Sequence, residues 1–310
     1  MVMSEKMATR QAYGTTLLEL GGENKEIVVL DADLSKSTMT AQFAGKYPER
    51  FFNMGISEQN LYGVAAGLAL SGKTVFASTF AMFAAGRAFE IIRNSIGYTK
   101  ANVKICATHA GITVGEDGGS HQAIEDIALM RTIPGMTVIN PSDGMSASLL
   151  IRQAAAMKGP VYVRLGRAAV PGLYEADSKV EIGKGNCVRK GGDYTVIAAG
   201  VMVNEALIAA EALEKEGISV RVIDMHTIKP IDKDIIVKAA QETKGIVTAE
   251  EHTVIGGLGS AVSEVVVQNV PVRMAFVGLK DTFGESGKPA ELMAKYGLTA
   301  ADIAAAVKSL

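Results

Sequence analysis

The chain has 310 residues, enough for two domains, and its 48% hydrophobic and 21% charged residues exclude a disordered chain. Lys and Arg number 31 against 33 Asp and Glu, so a formal charge of -2 offers no basic footprint for nucleic acid or an anionic membrane. The 33 glycines and the absence of Trp fit an α/β protein with many tight strand–helix turns. The opening residues MVMSEKMATR lack the apolar core of a signal peptide, and the longest nearly apolar stretch, Val64–Leu70, is far too short to span a membrane. A cytoplasmic protein is expected.

An amphipathic segment, Met7–Leu20, opens the chain and is expected to stop at Gly21-Gly22. Short apolar runs read as buried strands follow at Ile27–Leu30, Thr74–Ala77, Val103–Ala107, Thr137–Ile139 and Val161–Val163. Helical periodicity lies between them at Gln59–Leu70, Ala84–Ile96, Ile124–Arg131 and Ser142–Met157, the last with an N-cap at Ser142-Asp143. From Gly166 to about Gly192, Gly, Pro, Lys and short polar runs replace any long period, which reads as a surface linker. A second alternation then begins: strand Thr195–Ala199, helix Asn204–Glu216, strand Val220–Ile223, helix Lys233–Thr243, strand Gly245–Ala249, helix Gly259–Asn269 and strand Val272–Val277, with two helical stretches closing the chain. The expectation is an α/β fold of two doubly wound domains: a mostly parallel-sheet domain over 5–168, a linker over 169–192 and a smaller α/β domain over 193–310. Cys106 and Cys187 both read as buried core thiols, and no CxxC or Cys/His spacing points to a metal ligand.

Four groups of residues could carry chemistry. The richest is THAGITVGEDGGSHQ at 108–122, where His109 and His121 flank Glu116, Asp117 and four glycines. It follows a strand, so it leaves the carboxyl edge of the sheet, where open α/β sheets bind ligands. Glycines admit a ligand close to the backbone, and His and Asp supply hydrogen bonds and proton transfer. The second is Glu58, which follows a plausible N-cap at Ser57. A carboxylate in a first helical turn is favoured by the helix dipole alone. An apolar helix would also desolvate it, a setting suited to proton exchange, and both readings stay open. The third is the pair Phe80 and Phe83, either core packing or an aromatic wall for a flat ligand. The fourth is a scatter of strand-end groups, Arg10, Ser35, Ser37, Arg164 and Arg167, each alone better read as solvated surface, while their shared position at strand ends suits phosphate oxygens.

Taken in order, ATR at 8–10, DADLSKS at 31–37, GISEQN at 55–60, STFxxF at 78–83, THAGxxxGEDGGSHQ at 108–122 and EEHTVIGGLGS at 250–260 resemble the C-terminal half of transketolase over nearly the whole chain. The resemblance implies a pyrimidine-binding domain followed by the family's C-terminal domain, and thiamine diphosphate as cofactor. It implies that Glu58 hydrogen-bonds N1′ of the aminopyrimidine and drives the imino tautomer that deprotonates the thiazolium C2. Phe80 and Phe83 would stack on the pyrimidine, and Asp33 would lie near the thiazolium side. His109, Asp117 and His121 would line the substrate channel, with His109 and His121 serving proton transfer. Arg10, Ser37, His109 and Arg167 would hold the sugar phosphate.

The chain departs from the family pattern in three places. Gly86 stands where a third pyrimidine-pocket aromatic usually follows, and Phe89 is the candidate to replace it. Ala110 stands where an Asp is usual, a trait that leans toward deoxyxylulose-phosphate synthase, although that enzyme normally lacks the His109 equivalent. The chain also has no Gly-Asp-Gly followed by a spaced Asn, the family's anchor for the diphosphate and its Mg²⁺. The resemblance therefore implies an N-terminal partner subunit carrying that motif, the cofactor between the two chains, and a heterotetramer of two of each. The rival readings are the β subunit of a 2-oxo acid dehydrogenase, which needs no phosphate clamp, deoxyxylulose-phosphate synthase, and a non-catalytic subunit. A nucleotide-binding reading of Gly256-Gly257-Leu258-Gly259 lacks the required glycine spacing.

Overall fold

The computed structural model describes residues 6–310. Its first sheet has seven strands in the spatial order Thr227–Lys229, Thr137–Ile139, Val161–Arg164, Val103–Thr108, Thr74–Phe80, Ile27–Asp31, Phe51–Asn53. All pairings are parallel except that of Thr227–Lys229, which runs antiparallel beside Thr137–Ile139. Helices cover both faces, so Ile27–Asp31 and Val103–Thr108 are buried at every residue, which accounts for their continuous apolar character. The second sheet has five strands in the order Arg273–Leu279, Gly245–Thr253, Tyr194–Ala198, Val220–Asp224, Asn186–Arg189, parallel except for the last.

The order of the first sheet positions the site. From Ile27–Asp31 the chain goes outward to Phe51–Asn53, then returns to the other side of its starting strand at Thr74–Phe80 and continues away. The direction of winding therefore reverses at Ile27–Asp31, and crevices beyond the carboxyl ends of strands at such a reversal are where open α/β sheets bind ligands. The segments that leave this edge carry Asp33 and Ser37, then Gly55–Glu58, then Phe80 and Phe83, and then His109.

Several expectations need correction. The opening helix, Thr9–Glu23, continues through Gly21-Gly22 and ends at Asn24. Gly21 is required by packing, because a Cβ there would lie 2.5 Å from the Phe43 ring. The single helix expected over Ala84–Ile96 is instead π-helical at Phe83–Arg87, α-helical at Phe89–Ile91 and π-helical again at Ile92–Tyr98. The span read as a linker contains two short strands: Ala169–Val170 pairs with Met7–Ala8, and Asn186–Arg189 forms the edge of the second sheet. That edge also explains Cys187, which is exposed rather than buried. Cys106 lies in the core, where burial pushes its thiol up to about 12. The N-cap at Asp143 is present, its side chain accepting from Ser146 N at 2.7 Å.

Candidate active site

Asp31 shapes the first loop of the site. Its buried carboxylate accepts from Leu34 N at 2.6 Å, Thr38 Oγ1 at 2.6 Å and Thr40 Oγ1 at 2.9 Å, folding DADLSKS back over the strand end. Burial raises its pKa, and these three donors oppose that rise. Asp33, with a backbone φ of 64°, is exposed, and its Oδ1 accepts from Asn53 Nδ2 at 2.8 Å. Ser37, expected beside Arg10 as a phosphate-holding residue, meets Arg10 through its carbonyl oxygen, which accepts from Arg10 Nη1 at 2.7 Å.

Glu58 is the first residue of helix Glu58–Leu70, and its side chain is 2% exposed. Ser57 occupies the cap position but makes no side-chain capping bond. The surroundings of Glu58 differ from the apolar ones that the sequence led one to expect, because half-exposed Arg87 donates from Nη1 to Oε2 at 2.9 Å. The same guanidinium lies 4.8 Å from the centre of the Phe83 ring, a cation–π contact on the aromatic wall. Arg87 ends the first π-helical turn and was missed in the sequence, since its partner lies 29 positions away.

Phe80, at the end of its strand, and Phe83 lie 6.1 Å apart with rings inclined by 12°. The His109 ring stacks on Phe80 at 3.9 Å, and His121 meets Phe83 edge-on at 5.3 Å. The two loop histidines and the two phenylalanines therefore form one cluster. Phe89 is not part of it; it packs against the apolar core cluster that runs from the first sheet into the second domain.

His109 has a backbone φ of 58° and is 3% exposed. Its Nε2 lies 3.4 Å from Arg10 Nη1 and its Nδ1 lies 2.9 Å from Thr108 Oγ1. A guanidinium can only donate, so Nε2 accepts and the proton sits on Nδ1, facing the threonine hydroxyl. Burial, with Arg10, Arg167 and His121 nearby, lowers its pKa to about 3. This histidine is neutral at physiological pH.

Arg10 is the centre of the cationic side. Burial and then the charge of Arg167 lower its pKa, and its Nε is buried without an acceptor among the described residues. Arg167 donates to Val114 O at 2.5 Å and lies 3.7 Å from Asp117 and 3.8 Å from Glu116. Arg164 belongs elsewhere. It is 3% exposed and pairs with buried Asp126 at 2.8 Å, donating also to the carbonyls of Ala123 and Glu251. The strand-end reading of Arg164 as a phosphate ligand is therefore wrong, since its charge is consumed in the core.

The fold and this edge define a class: an open α/β protein whose reversal point carries a buried carboxylate, parallel aromatic rings, a neutral histidine and two neighbouring guanidinium groups. Residues 5–172 match the transketolase pyrimidine-binding domain and residues 183–303 match the transketolase C-terminal domain. The chain belongs to the transketolase family. It is 54% identical over 298 residues to a putative transketolase C-terminal section of Methanocaldococcus jannaschii, covering 95% of this chain and 93% of the relative. It is 41% identical over 302 residues to a 6-deoxy-6-sulfo-D-fructose transketolase subunit of Clostridium sp. (strain MSTE9), covering 97% and 94%. A solved split-gene transketolase, described as an inactive β4 tetramer, superposes with a TM-score of 0.92 at 58% identity, covering 98% of each chain.

Proposed function

We propose that this chain is the C-terminal subunit of a two-chain transketolase that moves a two-carbon ketol unit from a ketose phosphate to an aldose phosphate. The observation that carries this reading is the cluster of Phe80, Phe83, His109 and His121 beside Arg10, whose buried Nε lacks an acceptor. A phosphate oxygen would supply that acceptor.

The residues suit the pyrimidine end of thiamine diphosphate, because a buried carboxylate and near-parallel rings stand at one sheet edge. Thiamine diphosphate, when bound, supplies the nucleophilic carbon that takes up the two-carbon unit. Glu58 would hydrogen-bond the pyrimidine N1′, with Arg87 donating to its Oε2 at 2.9 Å. Phe80 and Phe83 would exclude water and orient the ring, and Asp33 would lie near the thiazolium side. His109, neutral with Nδ1 donating to Thr108, would offer Nε2 to a substrate hydroxyl in place of Arg10 Nη1, and His121 and Asp117 would offer further hydrogen bonds. Arg10, Ser37 and Arg167 take the terminal anion, Ser37 by holding Arg10.

Among the described residues, no three or more His, Cys, Asp or Glu are grouped to hold a metal ion. We assign Mg²⁺ and the diphosphate to an N-terminal subunit carrying Gly-Asp-Gly and the spaced Asn, in a heterotetramer of two of each chain. The similarity to a C-terminal section, to a transketolase subunit and to a split-gene transketolase supports this division. The test is reconstitution. With thiamine diphosphate, Mg²⁺, xylulose 5-phosphate and ribose 5-phosphate, the chain alone should give no turnover, and adding the N-terminal subunit should restore it. Turnover without a partner would sink the proposal.

A further inference from the structure

The loop after Val103–Thr108 carries His109, Asp117 and His121, and besides Arg167, which donates to Val114 O at 2.5 Å, its own domain grips it by backbone bonds at its base. There Ala110 N donates to Leu165 O at 3.2 Å, and Gly111 N donates to Ala123 O at 2.9 Å. Beyond Gly111 the second domain supplies much of the grip. Thr113 N donates to Glu251 Oε1 at 2.6 Å, Ser286 Oγ donates to Glu116 O at 2.7 Å, and Gln122 Nε2 donates to Glu285 O at 2.9 Å. Glu251 is 3% exposed on strand Gly245–Thr253, and its own carbonyl accepts from Arg164 Nη2 at 2.9 Å. Gly111 records how close the carboxylate comes. Its φ is 78°, and a Cβ there would lie 2.2 to 2.5 Å from the Glu251 carboxyl atoms. A carboxylate buried in this way is costly unless its bonds are made, so the Thr113 contact is a fixed point and not a passing one.

We infer that the second domain positions the substrate loop, with Glu251 as its principal positioning residue. By pinning Thr113, Glu251 fixes the spacing between His109, at the base of the loop, and Asp117 and His121 beyond it. Arg164 extends the same hold, tying the Glu251 backbone to Asp126 and Ala123 at the far end of the loop. This rests on the proposed reading of His109 and His121 as substrate-channel residues. Geometric errors of about 1 Å at such groups are enough to cost roughly 100-fold in rate.

The test compares Glu251→Ala, Glu251→Gln and Ser286→Ala in the full chain, alone and reconstituted with the N-terminal subunit. Glu251→Gln keeps an oxygen acceptor for Thr113 N and should retain kcat/KM within about threefold, while Glu251→Ala should lose at least about tenfold. In the chain alone, hydrogen exchange over 111–122 should speed up in Glu251→Ala while strand Val103–Thr108 stays protected. Faster exchange in both segments would make Glu251 merely structural and overturn the inference, as would unchanged exchange and unchanged kcat/KM. If Glu251→Ala does not fold, Ser286→Ala carries the test, since this exposed residue should loosen 115–118 alone; no change there overturns the inference. His109→Ala and His121→Ala separate the two claims. Unchanged activity in both defeats the substrate-channel reading, whereas the exchange data still decide whether the second domain holds the loop.

Discussion

Replacing Arg10 by Ala tests the anion-binding role proposed for the site. Arg10 Nη1 is engaged by Ser37 O at 2.7 Å and approaches His109 at 3.4 Å, which leaves the buried Nε without an acceptor. A substrate phosphate would complete that set with charge-assisted bonds, each worth about 1.5–3 kcal/mol, or roughly 10- to 150-fold in affinity. Arg167 is about a third exposed and already faces Asp117 and Glu116, so solvent and these carboxylates blunt it; Arg167→Ala should cost about 3- to 10-fold. The assay is KM for xylulose 5-phosphate against KM for unphosphorylated xylulose in the reconstituted pair. Arg10→Ala should raise KM for the phosphate ester by the larger factor and leave the free sugar almost unaffected, with kcat changed little. An equal loss for both sugars refutes the reasoning, because Arg10 would then be shaping the His109 pocket and not binding the phosphate.

Arg164→Met should behave in the opposite way. It leaves Asp126 buried with Tyr162 as its remaining side-chain partner at 2.7 Å, which costs about 3–5 kcal/mol, read as a lower denaturation midpoint, while the phosphate-to-free-sugar KM ratio of the folded fraction stays unchanged. Asp224 gives a pH prediction. Burial raises its pKa to about 7, with Ser142 and Tyr174 donating to Oδ2 at 2.8 Å and opposing the rise. The folded state therefore binds more protons than the unfolded chain between about pH 4 and 7, and stability falls as pH rises through that window. Asp224→Asn keeps an acceptor for both hydroxyls and removes the titration. Its thermal midpoint relative to wild type should climb from pH 4.5 to pH 8, by at most about 4 kcal/mol of stability, and a pH-independent difference would refute the assignment.

What could be read from the sequence was what depends on near neighbours. Continuous apolar runs mark Ile27–Asp31 and Val103–Thr108 because both faces of a parallel strand are buried. Phe51–Asn53 escaped because it is three residues long, sits at the sheet edge and is largely exposed. The π-helical turns near Phe83 and Ile92 escaped because an extra residue in a turn shifts the phase of the helix without changing its composition. At the site, residue types were legible and pairings were not. Arg10, Arg164 and Arg167 look alike at strand ends, but a buried Asp126 consumes one, two exposed acids soften another, and only Arg10 keeps a buried donor with no acceptor. Glu58 and Arg87 are 29 residues apart, and Thr113 and Glu251 are 138 apart. Pairs at such distances leave no periodic trace, and the chain can make them only after the strand order has been set. The residues that touch a ligand are thus easier to find in a sequence than the residues that aim them. The second domain, whose sequence offered no chemical role of its own, touches that loop through Glu251 and Ser286, and the inferred positioning role rests on this contact with a loop it does not contain.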